Sequence, residues 1–222
     1  EKKVVDVFEG EKFVKNIHVT KNYLYNLILK SLRTYESDKN IEARLANLWV
    51  DVLILERRGL YDQAREKLKK LEKISLKFQD HNTLTKVYTK ELSYTAEKDV
   101  KKVTPKIKNL VKSLKEQSAL IDTECKIKGL YYISSSLLRQ FHNNRFLLQE
   151  EFEQLAAAPI LLDEKAPLSF HATYYKYYIE ALFCLSKEDK INFHNYLKKI
   201  MLLWDKYSFM IPQTTNDSKL FL

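Results

Sequence analysis

Three glycines and four prolines are all the turn formers of their kind in 222 residues. A chain of short strands spends these two residues at almost every reversal, glycine for its positive φ and proline for its fixed one. So small a supply predicts an all-α fold. Hydrophobic residues make up 45% of the chain and aromatic residues 12%, enough apolar material for a packed core and too much for a disordered polymer.

Helical periodicity runs along the sequence. In TKNYLYNLILKSLRTY, residues 20–35, Leu24, Leu27, Ile28, Leu32 and Tyr35 recur at helical spacing, which predicts a helix with one buried face and Thr20 as its cap. After the polar break ESDKN, Leu45, Leu48, Val52 and Leu55 mark a second helix over 41–58. A third, over 61–78, sets Ala64, Leu68, Leu71, Ser75 and Phe78 on one stripe and lysines on the other. Gly59 lies between the last two. A phosphate-binding loop needs several glycines between a strand and a helix, with a lysine followed by serine or threonine. A lone glycine after a helix instead supplies the left-handed backbone that ends it, so Gly59 is predicted to be a corner.

Gly59, Tyr61, Ala64, Leu68 and Leu71 resemble the second half of a tetratricopeptide repeat, in which a small residue lets two helices approach closely. Asp51 stands where that pattern has leucine, and Leu76 where it has proline. A second hairpin of similar plan is read over 174–204, with Ala181 as the small residue, SKED as the corner and Phe193, Leu197, Ile200 and Trp204 as the returning stripe. Between the two, helices are predicted over 81–97, 105–118 and 122–141, with Thr104 and Pro105 as a start signal. The two corners are not a whole number of 34-residue units apart, so the repeats are irregular. The stretches EKFVKNIHVTKNYLYNLILKSLRTY, APLSFHATYYKYYIEAL and IPQTTNDSKLFL resemble an uncharacterised group of long helical-repeat proteins from Bacteroidetes. That resemblance implies further helices on either side and no established activity. The expected architecture is a right-handed α-α superhelix of antiparallel hairpins, a tetratricopeptide-like solenoid, with residues 1–222 as one domain and a fragment of a longer chain.

Little in the sequence spells chemistry. The five histidines never pair at metal-ligand spacing. Ser134, Ser135 and Ser136 lack the flanking glycines of a nucleophile elbow and read as small residues at a helix contact. Cys125 and Cys184, read as lying in apolar helical surroundings, suit a reducing compartment, and the default location is the cytoplasm. No apolar stretch is long enough to span a bilayer, so no membrane role is expected. The expectation is therefore a non-enzymatic scaffold with no catalytic residue, cofactor or metal, binding a protein or peptide along its concave wall. Trp49, Arg57 and Arg58 from one hairpin, with Tyr174 and Tyr177 from the other, are the expected lining, because the concave wall displays first-helix side chains and tyrosine rings with their hydroxyls make good anchors. The tyrosines at 174, 175, 177 and 178 cover more than one face of a helix, so the plainer reading is packing on two sides. The alternative partner is nucleic acid. The net charge of +9 and the lysine-rich 98–115 segment, with Lys101, Lys102, Lys106, Lys108 and Lys112, form a basic strip that phosphates would neutralise. Against it, the lysines alternate with core-type Ile107, Leu110, Val111 and Leu114, as on a solvated helix face.

Overall fold

The computed structural model describes residues 7–11, 13–36, 40–96, 100–141 and 145–213. Among these residues the chain is helical, without a strand. The α-helices are α1 (Ile17–Glu36), α2 (Ile41–Arg57), α3 (Tyr61–Phe78), α4 (His81–Ala96), α5 (Val100–Phe141), α6 (Arg145–Ala156), α7 (Pro159–Leu162), α8 (Phe170–Ser186) and α9 (Lys190–Lys206). Short 3-10 turns precede α1 and follow α9. No helix among the described residues is long and apolar enough to cross a membrane.

Three of the corners share one design. Gly59, Gln79 and Glu188 all take the left-handed conformation, at φ of 73°, 52° and 59°. In each, the next amide reaches back to the carbonyl five residues earlier: Leu60 to Leu55, Asp80 to Ser75 and Asp189 to Cys184, each at 2.9 Å. These bonds satisfy carbonyls that a helix end leaves bare. The residue after each corner is already the next helix's N-cap or its equivalent. Asp80 accepts the amide of Thr83 at 2.9 Å, and Asp189 accepts that of Asn192 at 3.0 Å. Gly59 is thus a corner, as expected, and two others need no glycine.

The corners fold α2, α3 and α4 against one another, and α8 against α9. Leu45, Leu48, Val52, Ala64, Leu68, Leu71, Leu84 and Val87 form one core. Ala64 is fully enclosed, which permits the close approach of α2 and α3. Asp51, out of place for a tetratricopeptide pattern, accepts a 2.8 Å bond from Lys67 across the same pair of helices. A second core gathers Ile127, Tyr131, Leu161, Ala172, Tyr174, Tyr175, Ile179 and Ile200.

Both cores share α5. Its 42 residues form one helix, about 63 Å long at 1.5 Å per residue. Its N-terminal half presents Leu110 and Leu114 to the first core, and its C-terminal half presents Ile127 and Tyr131 to the second. The two shorter helices predicted over 105–118 and 122–141 are therefore joined, and Thr104-Pro105 is not a start. Pro105 costs one backbone bond, yet the turn before it is held by Val103, which is 8% exposed.

Two other expectations change. Thr20 lies inside α1, which begins at Ile17 after a 3-10 turn, so it is not the cap. The face predicted to be buried on α1 is open: Leu24, Leu27, Ile28, Leu32 and Tyr35 are 47–60% exposed. Among the described residues no other α-helix makes more than slight contact with α1.

On α8, desolvation pushes the Glu180 carboxyl above its usual 4.5, even with Lys176 and Lys199 opposing the shift. A carboxyl with a raised folded pKa stabilises the fold only while protonated, so that contribution is present below 4.5 and is lost as pH climbs through the folded value. Glu180→Gln is expected to raise thermal stability at about pH 7 and to give a smaller gain at about pH 4. Melting curves at the two pH values check this, and an equal gain at both would contradict it.

Candidate functional site: a groove at the seam of the two cores

Where the two cores meet along α5, the side chains leave a cavity of about 710 Å³. Its walls are the N-terminal turn of α2, the α3–α4 corner, the middle of α5 and the first turns of α8, closed below by Met210. The local geometry is fixed by hydrogen bonds that span the seam. Gln79 Oε1, carried on the left-handed corner, accepts the Phe170 amide at 2.7 Å. Ser169 caps α8 by accepting the amide of Ala172 at 3.1 Å and donates its own hydroxyl to Glu124 of α5 at 2.5 Å. These bonds tie the start of α8 to both α5 and the α3–α4 corner.

Charge in the groove is unevenly committed. Asp80 serves as a cap, accepting from Thr83 N and Oγ1, and Glu124 is engaged by Ser169. Lys86 and Lys128 also line the walls, and among the described residues no carboxylate pairs with either. Three helix N-termini, those of α2, α4 and α8, converge here and add partial positive charge. His81 Nδ1–H donates to Gln117 Oε1 at 2.7 Å, while Nε2 is enclosed without a partner. Tyr132 and Cys125 expose a ring and a thiol on the same wall. Cys125 is thus exposed and not in the apolar surroundings expected of it, because α5 turns that side outward. Cys184 is buried, and burial first, then Asp189 and Glu180, pushes its thiol up.

The residues expected to line a binding wall are not brought together. Trp49 is half-buried and packs on the first core, whereas Arg57 and Arg58 are exposed at the end of α2. Tyr174 is 2% exposed, with its ring 5.7 Å from that of Trp204 in the second core, and offers no surface to a partner. Tyr177 is half-buried against Tyr196, at 6.4 Å. The tyrosines pack on two sides: Tyr175 and Tyr178 lie 4.7 and 5.0 Å from Tyr131 of α5, and Tyr174 and Tyr177 face α9. Ser134 is likewise a packing residue, fully buried with its hydroxyl on Leu130 O at 2.8 Å.

The basic strip is interrupted. Lys106 donates to Glu91 at 3.1 Å, Lys112 lies 3.9 Å from Glu116, and Lys108 is exposed. The side chains of Lys101 and Lys102 lie outside the described residues. Burial first, then the nearby charges of Glu72 and Glu116, raises the Tyr88 pKa, so carboxylates are interleaved with the lysines of α3 and α5.

Among the described residues no three His, Cys, Asp or Glu side chains gather as a metal set. The groove was not legible in the sequence, because its defining bond joins Gln79 to Phe170, 91 residues later, and neither belongs to a motif. Comparison with protein-family models, curated proteins and solved structures finds no match in any of the three.

Proposed function

We propose that this chain is a non-enzymatic helical scaffold, of tetratricopeptide-like superhelical plan, that seats a segment of a partner protein in the groove at the seam. The observation that carries this reading is the pairing of two uncommitted lysines with an exposed aromatic ring in a preformed cavity of about 710 Å³. A mixed wall of this kind suits a peptide that offers a carboxylate to Lys86 and Lys128 and an apolar side chain to Tyr132. Reversals made of single-residue corners give the walls little freedom, so little ordering cost remains at binding. A cytoplasmic setting belongs to the same reading and rests on the two free thiols. The nucleic-acid alternative is less well supported, since a phosphate backbone would meet the Glu91 and Glu116 carboxylates along with the lysines.

The test is selection of peptides from a random display library on the intact chain, followed by affinity measurement on groove variants. Selected peptides are expected to be acidic and to lose about 10- to 100-fold in affinity on Lys128→Glu, the range of a charge-assisted hydrogen bond. Lys198→Glu, on the exposed face of α9, should leave affinity unchanged. No enrichment, or peptides indifferent to Lys128→Glu, would refute the assignment.

A further inference from the structure

We propose that the open face of α1 is the seat of a second copy of this chain, with the two α1 helices antiparallel about Ile28. The helix has 20 residues, and its apolar stripe, Leu24, Ile28 and Leu32, is 49–56% exposed. Most helical stability in proteins comes from packing of an amphipathic face, not from propensity, so a stripe left in water argues for a cover.

The stripe says which cover. Two-fold pairing demands a surface complementary to itself. Leu24 and Leu32 stand equally far from Ile28, four residues to either side. Antiparallel copies centred there bring Ile28 against Ile28, and Leu24 of each copy against Leu32 of the other. The charges agree with this. Lys30 and Arg33 lie about 200° and about 140° around the helix from Ile28, at roughly 100° per residue, so these two charges point away from the shared face, while Lys21, about 20° from Ile28, stands at its end opposite Tyr35 of the other copy and not opposite a second lysine. A pair of helices about 30 Å long buries on the order of 1,000 Å², the lower end for a specific dimer, and the expected Kd is micromolar. Each copy carries +9, so long-range repulsion opposes association and pairing should tighten as salt rises. An acidic partner on the same face would show the opposite salt dependence.

Sedimentation of the intact chain from about 1 to about 200 micromolar tests the proposal. The expected result is a monomer–dimer equilibrium that shifts toward dimer between about 50 and about 500 mM salt. Leu24→Glu and Leu32→Lys should each weaken the dimer at least about 10-fold. An equimolar mixture of the two should regain it, because only the antiparallel arrangement sets the new glutamate of one copy beside the new lysine of the other and keeps a Leu24–Leu32 contact intact. A chain that stays monomeric, a dimer indifferent to either substitution, or a mixture that fails to associate would overturn the proposal. So would a drop in melting temperature for Leu24→Glu at concentrations where the parent chain is monomeric, which would show that the face packs on its own chain. Binding of the monomer to anionic vesicles through this face, without dimerisation, would likewise replace it with a membrane contact. None of these outcomes bears on the groove, which α1 does not line.

Discussion

Ala119→Pro is expected to destabilise the fold by about 3 kcal/mol or more, although Ala119 is an exposed residue. Little packing is lost at an exposed alanine, so the effect isolates the backbone. Proline there removes one hydrogen bond and drives its ring against the carbonyl of Lys115 in the middle of α5. Ala119→Gly, which keeps the bond, should cost only about 1 kcal/mol. The damage falls midway between Leu114, which serves the first core, and Ile127, which serves the second. The two cores should therefore uncouple, and urea unfolding followed by far-ultraviolet circular dichroism should broaden or split. A loss below about 1 kcal/mol would mean that α5 breaks near residue 119 after all.

Tyr174→Ala should be comparably severe, at about 3–5 kcal/mol, the usual loss for deleting a large buried ring. The ring is 2% exposed and lies edge-on to Trp204, 5.7 Å away, and 5.5 Å from that of Tyr175. Arg57→Ala and Arg58→Ala, both at exposed positions, should change stability by less than about 0.5 kcal/mol. Urea titration of the three variants separates a core ring from surface cations. A stable Tyr174→Ala chain would show that the ring is available to a partner.

The parts of this fold that sequence discloses are those governed by local physics. The stripe of Ala64, Leu68 and Leu71 and the glycine at position 59 place α2 and α3 to within a residue, because periodicity and a left-handed corner are both local. The Gln79 corner has the same geometry as Gly59 but a residue that gives no such signal, since tertiary bonding to Phe170 holds it there. Within α5, Thr104-Pro105 looks like a start, and the sequence reads as two helices with a break between residues 118 and 122. The continuing row of Ile107, Leu110, Leu114, Gln117, Ile121, Glu124, Ile127 and Tyr131, all at least partly buried, is what keeps the helix unbroken. Two of those members are polar, and that hid the row. For Tyr174 the sequence showed that four rings could not share one face, but which neighbours took the others depended on how α5 and α9 were placed. On α1 the pattern of a core helix was clear, yet amphipathicity states only that a face wants covering, not that the same chain supplies the cover.

The unbroken α5 has a consequence for how the groove could vary among chains of this design. Each residue added to or removed from the stretch between Leu114 and Ile127 would turn one core about 100° relative to the other and move it about 1.5 Å along the axis. Single insertions would carry Lys86 and Lys128 to different sides of the rod and abolish the cavity. An insertion of seven residues, close to two whole turns, would bring them back to the same side with the walls about 10 Å farther apart. Groove width in such a molecule is therefore quantised by the pitch of one helix.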